Sequence, residues 1–457
     1  MTTDAAVASV VENAIVHHHP GILEAIELSG APAAARDGFD PGFALPPLED
    51  AIADFYAASD ASVAELGSHR GRRLSLLNLM HNPRTRTTKT FASLLIVARA
   101  IRYVRETGRR VMIVTPTSAN KGTALMDAVL RALDRELVGP DRLRIAVIVP
   151  RESMGKLWSS ALTEDPLLRD RNPVLVHDGP DPEAVKALAR GAVNRCGPEL
   201  SAEGTDLWHT MQLDNYRVAD AVRAFLEADL LPPDPGRPRV HAHAVSSGFG
   251  LLGYDLGRAV LARRRGSAGR RPIFFLVQHL RTPDMVLALR FGSFSRDLLP
   301  AYRWDGSRQL FVQAEDPCFP FVTDDPEEGI DPTFYTRRPA TMAAVREMVE
   351  EGGGGGIVVS HHDCLARYDE VGSLLAGAGV ALPPDPADLR EWALVMALTG
   401  VLNAVDRDLL PDPADIVVHG SGSYGTADYR PVDPSHARPV AGEDDVSEAI
   451  LSAARTA

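Results

Sequence analysis

The chain has 457 residues, enough for roughly two or three domains and for a large core that needs no disulfide or metal to hold it together. Acidic residues outnumber basic ones by 61 to 48, which argues against a nucleic-acid partner because such a partner requires a basic surface. The three cysteines are odd in number and far apart, so they predict no disulfide framework. The first residues lack a basic leader, and no apolar run reaches the ~18 residues of a membrane span. We therefore predict a cytoplasmic protein without a membrane partner.

Short apolar segments alternate with longer helical patterns along the chain. Most of the short segments are continuously apolar, which is typical of strands buried on both faces. Helical spacing of apolar residues is clearest in 89–108 and 120–137. This alternation predicts βαβ units and a mainly parallel α/β fold. The predicted strands are 111–117, 144–150, 173–178, 240–247, 273–278, 309–313, 356–360 and 415–421.

Two further features concern the ends of elements. Five glycines, 352–356, follow a helical pattern and precede an apolar segment, so they are predicted to end a helix and lead into a strand. About the first 50 and the last 25 residues are rich in Ala, Pro and Asp, and we predict that they form arms on the fold.

Two segments follow predicted strands and lead into helices, the position where open α/β sheets bind ligands. In 115–122, small hydroxyls and a helix N-terminus suit a carboxylate or phosphate, although a capped turn without a ligand explains the same residues. In 245–253, glycines allow an anion to approach the backbone closely. This segment lacks a Walker lysine and a complete GxGxxG pattern, so it favours a monophosphate over a nucleotide. Close packing of helix on strand is the alternative.

A third segment, 82–91, places Lys89 at the start of an apolar helix, directly after a threonine-rich loop. A helix N-terminus and burial both disfavour an ammonium group, so a lysine here tends towards the neutral amine. Schiff-base chemistry requires such an amine. The alternative is an ordinary surface lysine.

Taken together, the three segments resemble fold-type II pyridoxal-phosphate (PLP) enzymes, the group of threonine synthase, cysteine synthase and tryptophan synthase β. In that family a lysine in an Asn-Pro-Thr-Gly-Ser-Phe-Lys-like segment holds the cofactor as an imine, and 82–89 is similar but one residue longer. Residues 117–122 resemble the family's Ser-Gly-Asn-x-Gly segment, and 246–250 resemble its phosphate loop. The resemblance implies a large PLP-binding domain, 1–92 and 216–457 with the two arms, and a small domain, 93–215.

The resemblance also implies the site residues. Lys89 is the implied catalytic lysine, and Ser421 is the implied partner of the pyridine nitrogen, with His419 and Ser423 as alternatives in other registers. Arg84 and Arg86 replace small residues of the family and favour a substrate with an extra anionic group, unless they are simply exposed. The cofactor-binding residues are Lys89, Asn120, Ser246, Ser247, Gly248, Phe249, Gly250 and Ser421. The substrate-binding residues are Arg84, Arg86, Thr87, Thr88, Thr117, Ser118 and Ala119.

The resemblance implies a lyase or transferase similar to threonine synthase. Its reaction would be β- or γ-elimination or replacement on an O-activated amino acid, for example a phosphate ester. A serine/threonine dehydratase, or another enzyme acting at Cα, is the first alternative. The second is a PLP-fold protein that binds without catalysis, because Ala119 replaces a glycine and 357–364 lacks an acid found in relatives. Relatives are usually dimers, which implies a homodimer. No metal is predicted, since 361–364 has no spaced partner pair to complete a site.

Overall fold

The computed structural model describes residues 8–30, 38–267 and 269–456. These residues form two compact units. Unit 1 comprises the segment that ends at Glu12 together with Asp60–His81 and Asp220–Ala427, and unit 2 comprises Asn13–Ser59, Asn82–Ala219 and the segment that starts at Asp428. The domain division implied by the resemblance, with 93–215 as the small domain, stays a prediction.

The helices and strands are numbered in chain order. The strands are β1 (Ser9–Val11), β2 (Ala61–His69), β3 (Arg72–Asn78), β4 (Arg110–Pro116), β5 (Leu143–Pro150), β6 (Val174–His177), β7 (Thr205–His209), β8 (Arg239–Ala244), β9 (Ile273–His279), β10 (Arg303–Asp305), β11 (Leu310–Val312), β12 (Val322–Thr323), β13 (Gly354–Val359), β14 (Leu389–Glu391), β15 (Asp415–Gly420), β16 (Tyr424–Gly425) and β17 (Ala437–Val440). The helices are α1 (Ala14–His17), α2 (His19–Ser29), α3 (Asp50–Tyr56), α4 (Lys89–Thr107), α5 (Asn120–Asp134), α6 (Ala161–Glu164), α7 (Pro166–Arg171), α8 (Ala184–Ala202), α9 (Leu213–Asp220), α10 (Val222–Leu230), α11 (Phe249–Arg265), α12 (Asp284–Phe291), α13 (Met342–Gly352), α14 (His361–Ala366), α15 (Tyr368–Ala376), α16 (Ala393–Asp406) and α17 (Glu443–Arg455).

Unit 1 is built on a seven-stranded sheet in the order β1-β2-β3-β15-β8-β9-β13. Strands β3, β15, β8, β9 and β13 run parallel, whereas β1 and β2 add antiparallel strands at one edge. Helix α16 is apolar over nearly its whole surface and packs against this sheet, as expected of a helix surrounded by core. The parallel strands therefore end at one edge of the sheet, where their loops can meet a ligand.

Unit 2 contains a parallel five-stranded sheet in the order β17-β6-β5-β4-β7. Every residue of β5 is buried, as its continuously apolar sequence predicts. Helices α4 and α5 pack against each other, and α4 ends at Gly108, whose positive φ of 67° terminates the helix. Strand β17 completes the sheet and α17 packs on α8, so the C-terminal residues belong to the unit and are not an arm.

Segment 309–313 forms a strand, as predicted; it is β11 of a small antiparallel sheet with β10 and β12. The hairpin of β2 and β3 was missed, because both strands interrupt their apolar residues with polar ones.

The glycine run does end a helix and begin a strand, as predicted, and the structure gives the reason for the glycines. A Cβ atom at Gly354 would lie 2.0 Å from the carbonyl oxygen of Phe274, and one at Gly356 would lie 2.9 Å from that of Leu276. Only glycine allows β13 to pair this closely with β9.

Candidate cofactor and substrate site

The loop before Lys89 is held rigidly inside unit 2. The side-chain amide of Asn82, which is buried, donates to Asp127 Oδ2 at 2.9 Å and to Thr90 Oγ1 at 3.1 Å. The hydroxyls of Thr85 and Thr90 lie 2.7 Å apart and share a hydrogen bond. These contacts join the loop to the first turn of α4 and to α5. Lys89, the first residue of α4, is therefore presented half-buried on a fixed backbone.

The two arginines of this loop are already paired with carboxylates. Arg84 Nε lies 2.7 Å from Asp127 Oδ1, and a guanidinium nitrogen of Arg86 lies 3.2 Å from Asp428 Oδ1. Their expected role towards an anionic group of the substrate stays a prediction, and the pairing weakens it. Of the two threonines, Thr88 is buried, and the hydroxyl of Thr87 is buried without a hydrogen-bond partner among the described residues.

Asp127 is the buried residue that fastens this loop, and its removal is expected to destabilise the protein. Besides its ion pair with Arg84, it accepts hydrogen bonds from Asn82 and from Arg131 Nε, the latter at 2.9 Å. The change Asp127→Ala leaves these donors without their acceptor, so we expect a loss of about 2 kcal/mol in the free energy of unfolding, measured by urea denaturation. The change Asp134→Ala, at the exposed end of the same helix, is the control and should alter stability by less than about 0.5 kcal/mol. Equal stability of the two variants would contradict this role.

The loop after β4 forms a compact turn whose hydroxyl caps α5. Thr117 Oγ1 accepts from the backbone N–H of Ala119 at 3.1 Å and from that of Gly122 at 2.9 Å. Ala119 is buried with φ of 102°, a left-handed conformation that glycine adopts more easily. Ser118 and Asn120 are half-buried at the start of the helix. The family's glycine at position 119 is thus replaced by alanine without losing the turn.

The glycine loop of unit 1 lies between β8 and α11. Ser246 and Ser247 are half-buried, and Gly248 is buried with a positive φ of 71°. A Cβ atom at Gly248 would lie 3.0 Å from Met285 Cε, which is tighter than ordinary contact. The hydroxyl of Thr341 donates to the carbonyl of Ser247 and holds the turn. Phe249 and Gly250 then open α11, and a helix N-terminus is a position that favours an anion.

A buried hydrogen-bonded chain of side chains runs beside this loop in unit 1. Arg223 donates to His419 Nδ1 at 3.1 Å, and His419 Nε2 lies 2.8 Å from His241 Nδ1. His241 Nε2 in turn lies 3.4 Å from Glu227 Oε1, without forming a hydrogen bond to it. Because a guanidinium can only donate, His419 must carry its proton on Nε2, and His241 must then carry its own on Nε2. The N–H groups of these side chains therefore all point in the direction from Arg223 to Glu227. A Cβ atom at Gly250 would be 3.6 Å from Arg223 Nε, which places the arginine next to the glycine loop.

The hydrogen-bonded side chains bear on which residue could contact the pyridine nitrogen, for which Ser421, His419 and Ser423 are the candidates. Both ring nitrogens of His419 are engaged inside unit 1, so His419 offers none to a ligand. Ser421 follows β15 and is half-buried, and Ser423 is buried. The ring of His243 stacks on His419 at 3.7 Å, and its Nε2 has no partner among the described residues. Burial and then the charge of Arg223 lower the pKa of His243, so this ring is neutral.

A group of side chains in unit 1, outside these loops, has the composition of a cation site. Asp324, Glu328 and His361 each place a possible ligand atom within 4.8 Å of the others. The sequence analysis missed this group because the two carboxylates come from the loop after β12 and not from the neighbourhood of His361. Burial and then Asp324 raise the pKa of Glu328. Exposed acidic groups of this kind are common without an ion, so we assign it no role.

Comparison with known proteins places the chain in a family. Residues 10–454 match the family described as "Family of unknown function (DUF6002)". The chain belongs to this family. The comparison with curated proteins found no match. None of the described helices is both long and apolar enough to cross a membrane.

Two solved structures show the fold. Threonine synthase from Escherichia coli matches with a TM-score of 0.50 and 16% sequence identity, over 85% of this chain and 71% of that chain. A pyridoxal 5'-phosphate-dependent aspartate racemase matches with a TM-score of 0.50 and 12% identity, over 90% of this chain and 97% of that chain. These likenesses confirm the two-part, mainly parallel α/β fold of fold-type II enzymes that the sequence predicted.

Proposed function

We propose that the chain is a PLP-dependent enzyme that acts on the Cα atom of an amino acid, with Lys89 as the lysine that attaches the cofactor. The lysine loop carries this proposal. It presents Lys89 at the start of α4 on a backbone fixed by buried hydrogen bonds, in a chain with the fold of known PLP enzymes. An ordinary surface lysine would not require a preceding loop that is fixed by buried hydrogen bonds.

The described residues fit the cofactor in each unit taken by itself. In unit 2 the buried hydroxyl of Thr87, two residues before Lys89, lacks a partner and can bind a polar group. In unit 1 the missing side chain of Gly248 and the N-terminus of α11 suit a phosphate. When bound, PLP supplies an electron sink that stabilises negative charge at Cα.

The residues of the chain would transfer the proton and orient the cofactor and the substrate. The amine of Lys89, when it is not attached to the cofactor, would take the Cα proton of the substrate as a base and return a proton as an acid. Asn120 would contact the 3′-oxygen of the pyridoxal ring, and Ser118 on the same loop would hold the substrate carboxylate. Ser421, a neutral hydroxyl, would leave the pyridine nitrogen unprotonated, which in the resembling enzymes favours elimination and replacement.

The reaction that we propose is β- or γ-elimination or replacement on an O-activated amino acid, as in threonine synthase. A second candidate is chemistry confined to Cα, such as racemisation. It is favoured by the likeness to an aspartate racemase over 97% of that chain. Three readouts distinguish the candidate reactions. Deamination would release a keto acid and ammonia, and replacement would give a product only when a nucleophile is added. Racemisation would exchange the Cα hydrogen in deuterated water without either of these products.

The cofactor is tested by the absorption spectrum of the purified chain with added PLP. We expect a visible imine band that borohydride reduces, with the reduced label on the peptide that contains Lys89. Only four lysines occur in the chain, so the labelled peptide is identified without ambiguity. The variant Lys89→Ala should lose the band, whereas Lys186→Ala should keep it. Absence of the band from the wild-type chain would refute the proposed enzyme, and a band without any Cα-hydrogen exchange would favour a binding protein.

A further inference from the structure

A cavity in unit 1 lies at the edge of the sheet where the parallel strands begin. Its volume is about 410 Å³, and it is lined by residues of α10, of α11 and of the loops that lead into β8 and β9. Arg239, the first residue of β8, is part of its wall, whereas the glycine loop follows the other end of this six-residue strand. Since such a strand is about 20 Å long, the cavity is separate from the glycine loop. Its volume is in the range of small-molecule sites, which starts at about 300 Å³.

The cavity combines an apolar wall with many positive charges. Small or hydrophobic side chains such as Ala224, Leu261 and Pro272 supply the apolar wall. Among the described residues that line the cavity, two are acids, Glu227 and Asp234, and six are arginines. The arginines are Arg237, Arg239, Arg258, Arg265, Arg270 and Arg271. This excess of positive charge is local, because acidic residues outnumber basic ones by 61 to 48 in the whole chain.

Both acids of the lining are already paired. Glu227 Oε1 lies 2.8 Å from a guanidinium nitrogen of Arg239. Asp234 Oδ2 lies 2.8 Å from a guanidinium nitrogen of Arg73, which is not part of the lining. Glu227 therefore balances Arg239 alone, and the charge of Asp234 is balanced by an arginine outside the cavity.

Two of the other arginines of the lining have partners in the chain. Arg271 forms an ion pair with Glu351. The guanidinium of Arg258 donates to the carbonyl oxygen of Arg270 at 3.3 Å and lies 3.9 Å from Asp255. The contact of Arg258 with Arg270 joins α11 to the loop that leads into β9.

The remaining three arginines keep a charge that the chain does not balance. No ion pair of Arg237, Arg265 or Arg270 occurs within residues 8–30, 38–267 and 269–456. Arg237 is half-buried and donates to the carbonyl oxygen of Gly71 at 3.2 Å, which is a neutral partner. Arg265 and Arg270 are exposed, so their side chains are accessible to a ligand.

The wall of the cavity also contains a donor that the fold leaves unsatisfied. Arg239 is 8% exposed, and its Nε–H group is buried without a hydrogen-bond partner among the described residues. Its terminal nitrogens donate to Glu227 and to the carbonyl oxygens of Leu231 and Pro232. A buried donor without an acceptor is unfavourable, so this guanidinium is not fully satisfied by the chain itself.

We propose that this cavity binds a small organic anion, with a carboxylate or a phosphate on an apolar body, as a second ligand of the chain. The apolar wall contacts the body, and Arg237, Arg265 and Arg270 bind the acidic group. Guanidinium groups suit both kinds of acid, because their N–H groups match two oxygens of a carboxylate or a phosphate. A neutral ligand of the same shape would leave the three charges unbalanced. The site does not depend on PLP, since it lies at the opposite end of β8 from the glycine loop.

Calorimetric titration of the full-length chain with three small probes tests the site. Phenyl phosphate and phenylacetate carry the two kinds of acidic group on the same ring, and benzyl alcohol carries neither. We expect at least one of the anions to bind with a Kd of about 1 mM or lower, and benzyl alcohol to bind at least about tenfold more weakly. The anion that binds more tightly shows whether the natural ligand is a phosphate ester or a carboxylate.

Four variants locate the binding. Arg265→Gln and Arg270→Gln each remove one exposed charge of the lining and should each weaken binding of the anion about fivefold. Arg263→Gln is the matched control, because Arg263 is an exposed residue of the same helix that is not part of the lining, and it should change the affinity less than about twofold. Ala262→Phe places a ring in the cavity and should abolish binding.

Three results would overturn the proposal. They are the absence of binding by either anion at about 10 mM, binding of benzyl alcohol as tight as that of the anions, or a loss in Arg265→Gln and Arg270→Gln no larger than that in Arg263→Gln. If Ala262→Phe does not fold, the two glutamine variants at exposed positions decide between the same outcomes. Because these variants locate the site, the result holds whether or not the chain binds PLP.

Discussion

The change Glu227→Gln is expected to lower the free energy of unfolding by about 3 kcal/mol or more, because it leaves a buried guanidinium without its carboxylate. Glu227 Oε1 lies 2.8 Å from Arg239, which is 8% exposed. The same carboxylate accepts from the hydroxyl of Tyr254 and lies next to His241. In the variant, the remaining acid near Arg239 is Asp415, at 3.6 Å.

The loss of stability caused by Glu227→Gln should decrease as the pH falls. Burial by itself raises the pKa of Glu227, but His241, the Tyr254 hydroxyl and Arg239 together lower it below its ordinary value. A carboxyl whose pKa is lower in the folded chain stabilises the fold above its unfolded pKa of about 4.3 and loses that contribution as the pH falls. The difference between wild type and Glu227→Gln should therefore be largest at neutral pH and shrink below about pH 4.

Urea denaturation followed by circular dichroism, at pH 7 and at pH 3.5, measures both effects. The change Glu347→Gln, at an exposed position of α13 in the same unit, is the matched control and should alter stability by less than about 0.5 kcal/mol at either pH. A Glu227→Gln chain as stable as this control at pH 7 would show that the buried ion pair contributes nothing.

Glu227 also shows why the sequence could not give the whole site. Most of the parallel strands and the helices α4 and α5 were predictable because their apolar spacing is a local signal. Arg223 and Glu227 lie on α10, His241 lies on β8 and His419 lies on β15, and no spacing rule connects these positions. An arginine and a glutamate among the apolar residues of α10 were the available signals, since a buried charge requires a partner.

In the candidate loops, too, the local features could be predicted from the sequence and the long-range contacts could not. Asn120 and the glycine loop were found because each follows a predicted strand and opens a helix, and Lys89 was found because it opens an apolar helix after a threonine-rich loop. The pairing of Arg84 with Asp127 and of Arg86 with Asp428 was not visible, since the acids lie 43 and 342 residues further along the chain. An arginine near a site was therefore read as free for substrate when its charge is already balanced.

The glycine loop offers a comparison of two nearly isosteric variants that differ by one charge. Asn and Asp both tolerate positive φ better than other side chains, and both would place the same Cβ atom near Met285 Cε, so Gly248→Asn and Gly248→Asp should lose similar stability. Towards a phosphate they differ, because the aspartate adds a negative charge beside a group that carries nearly two of its own at neutral pH.

We expect Gly248→Asp to bind PLP at least about 30-fold more weakly than Gly248→Asn, since repulsion at roughly 6 Å in a partly buried site costs about 2 kcal/mol or more. The measurement is titration of each chain with PLP, followed by the imine absorption. Titration with pyridoxal, which lacks the phosphate, is the control and should not separate the two variants. Equal affinity for PLP would show that the phosphate does not bind at this loop. A difference that persists with pyridoxal would mean that the charge acts on the rest of the site, and the anion-binding role of 246–250 would then have to be withdrawn.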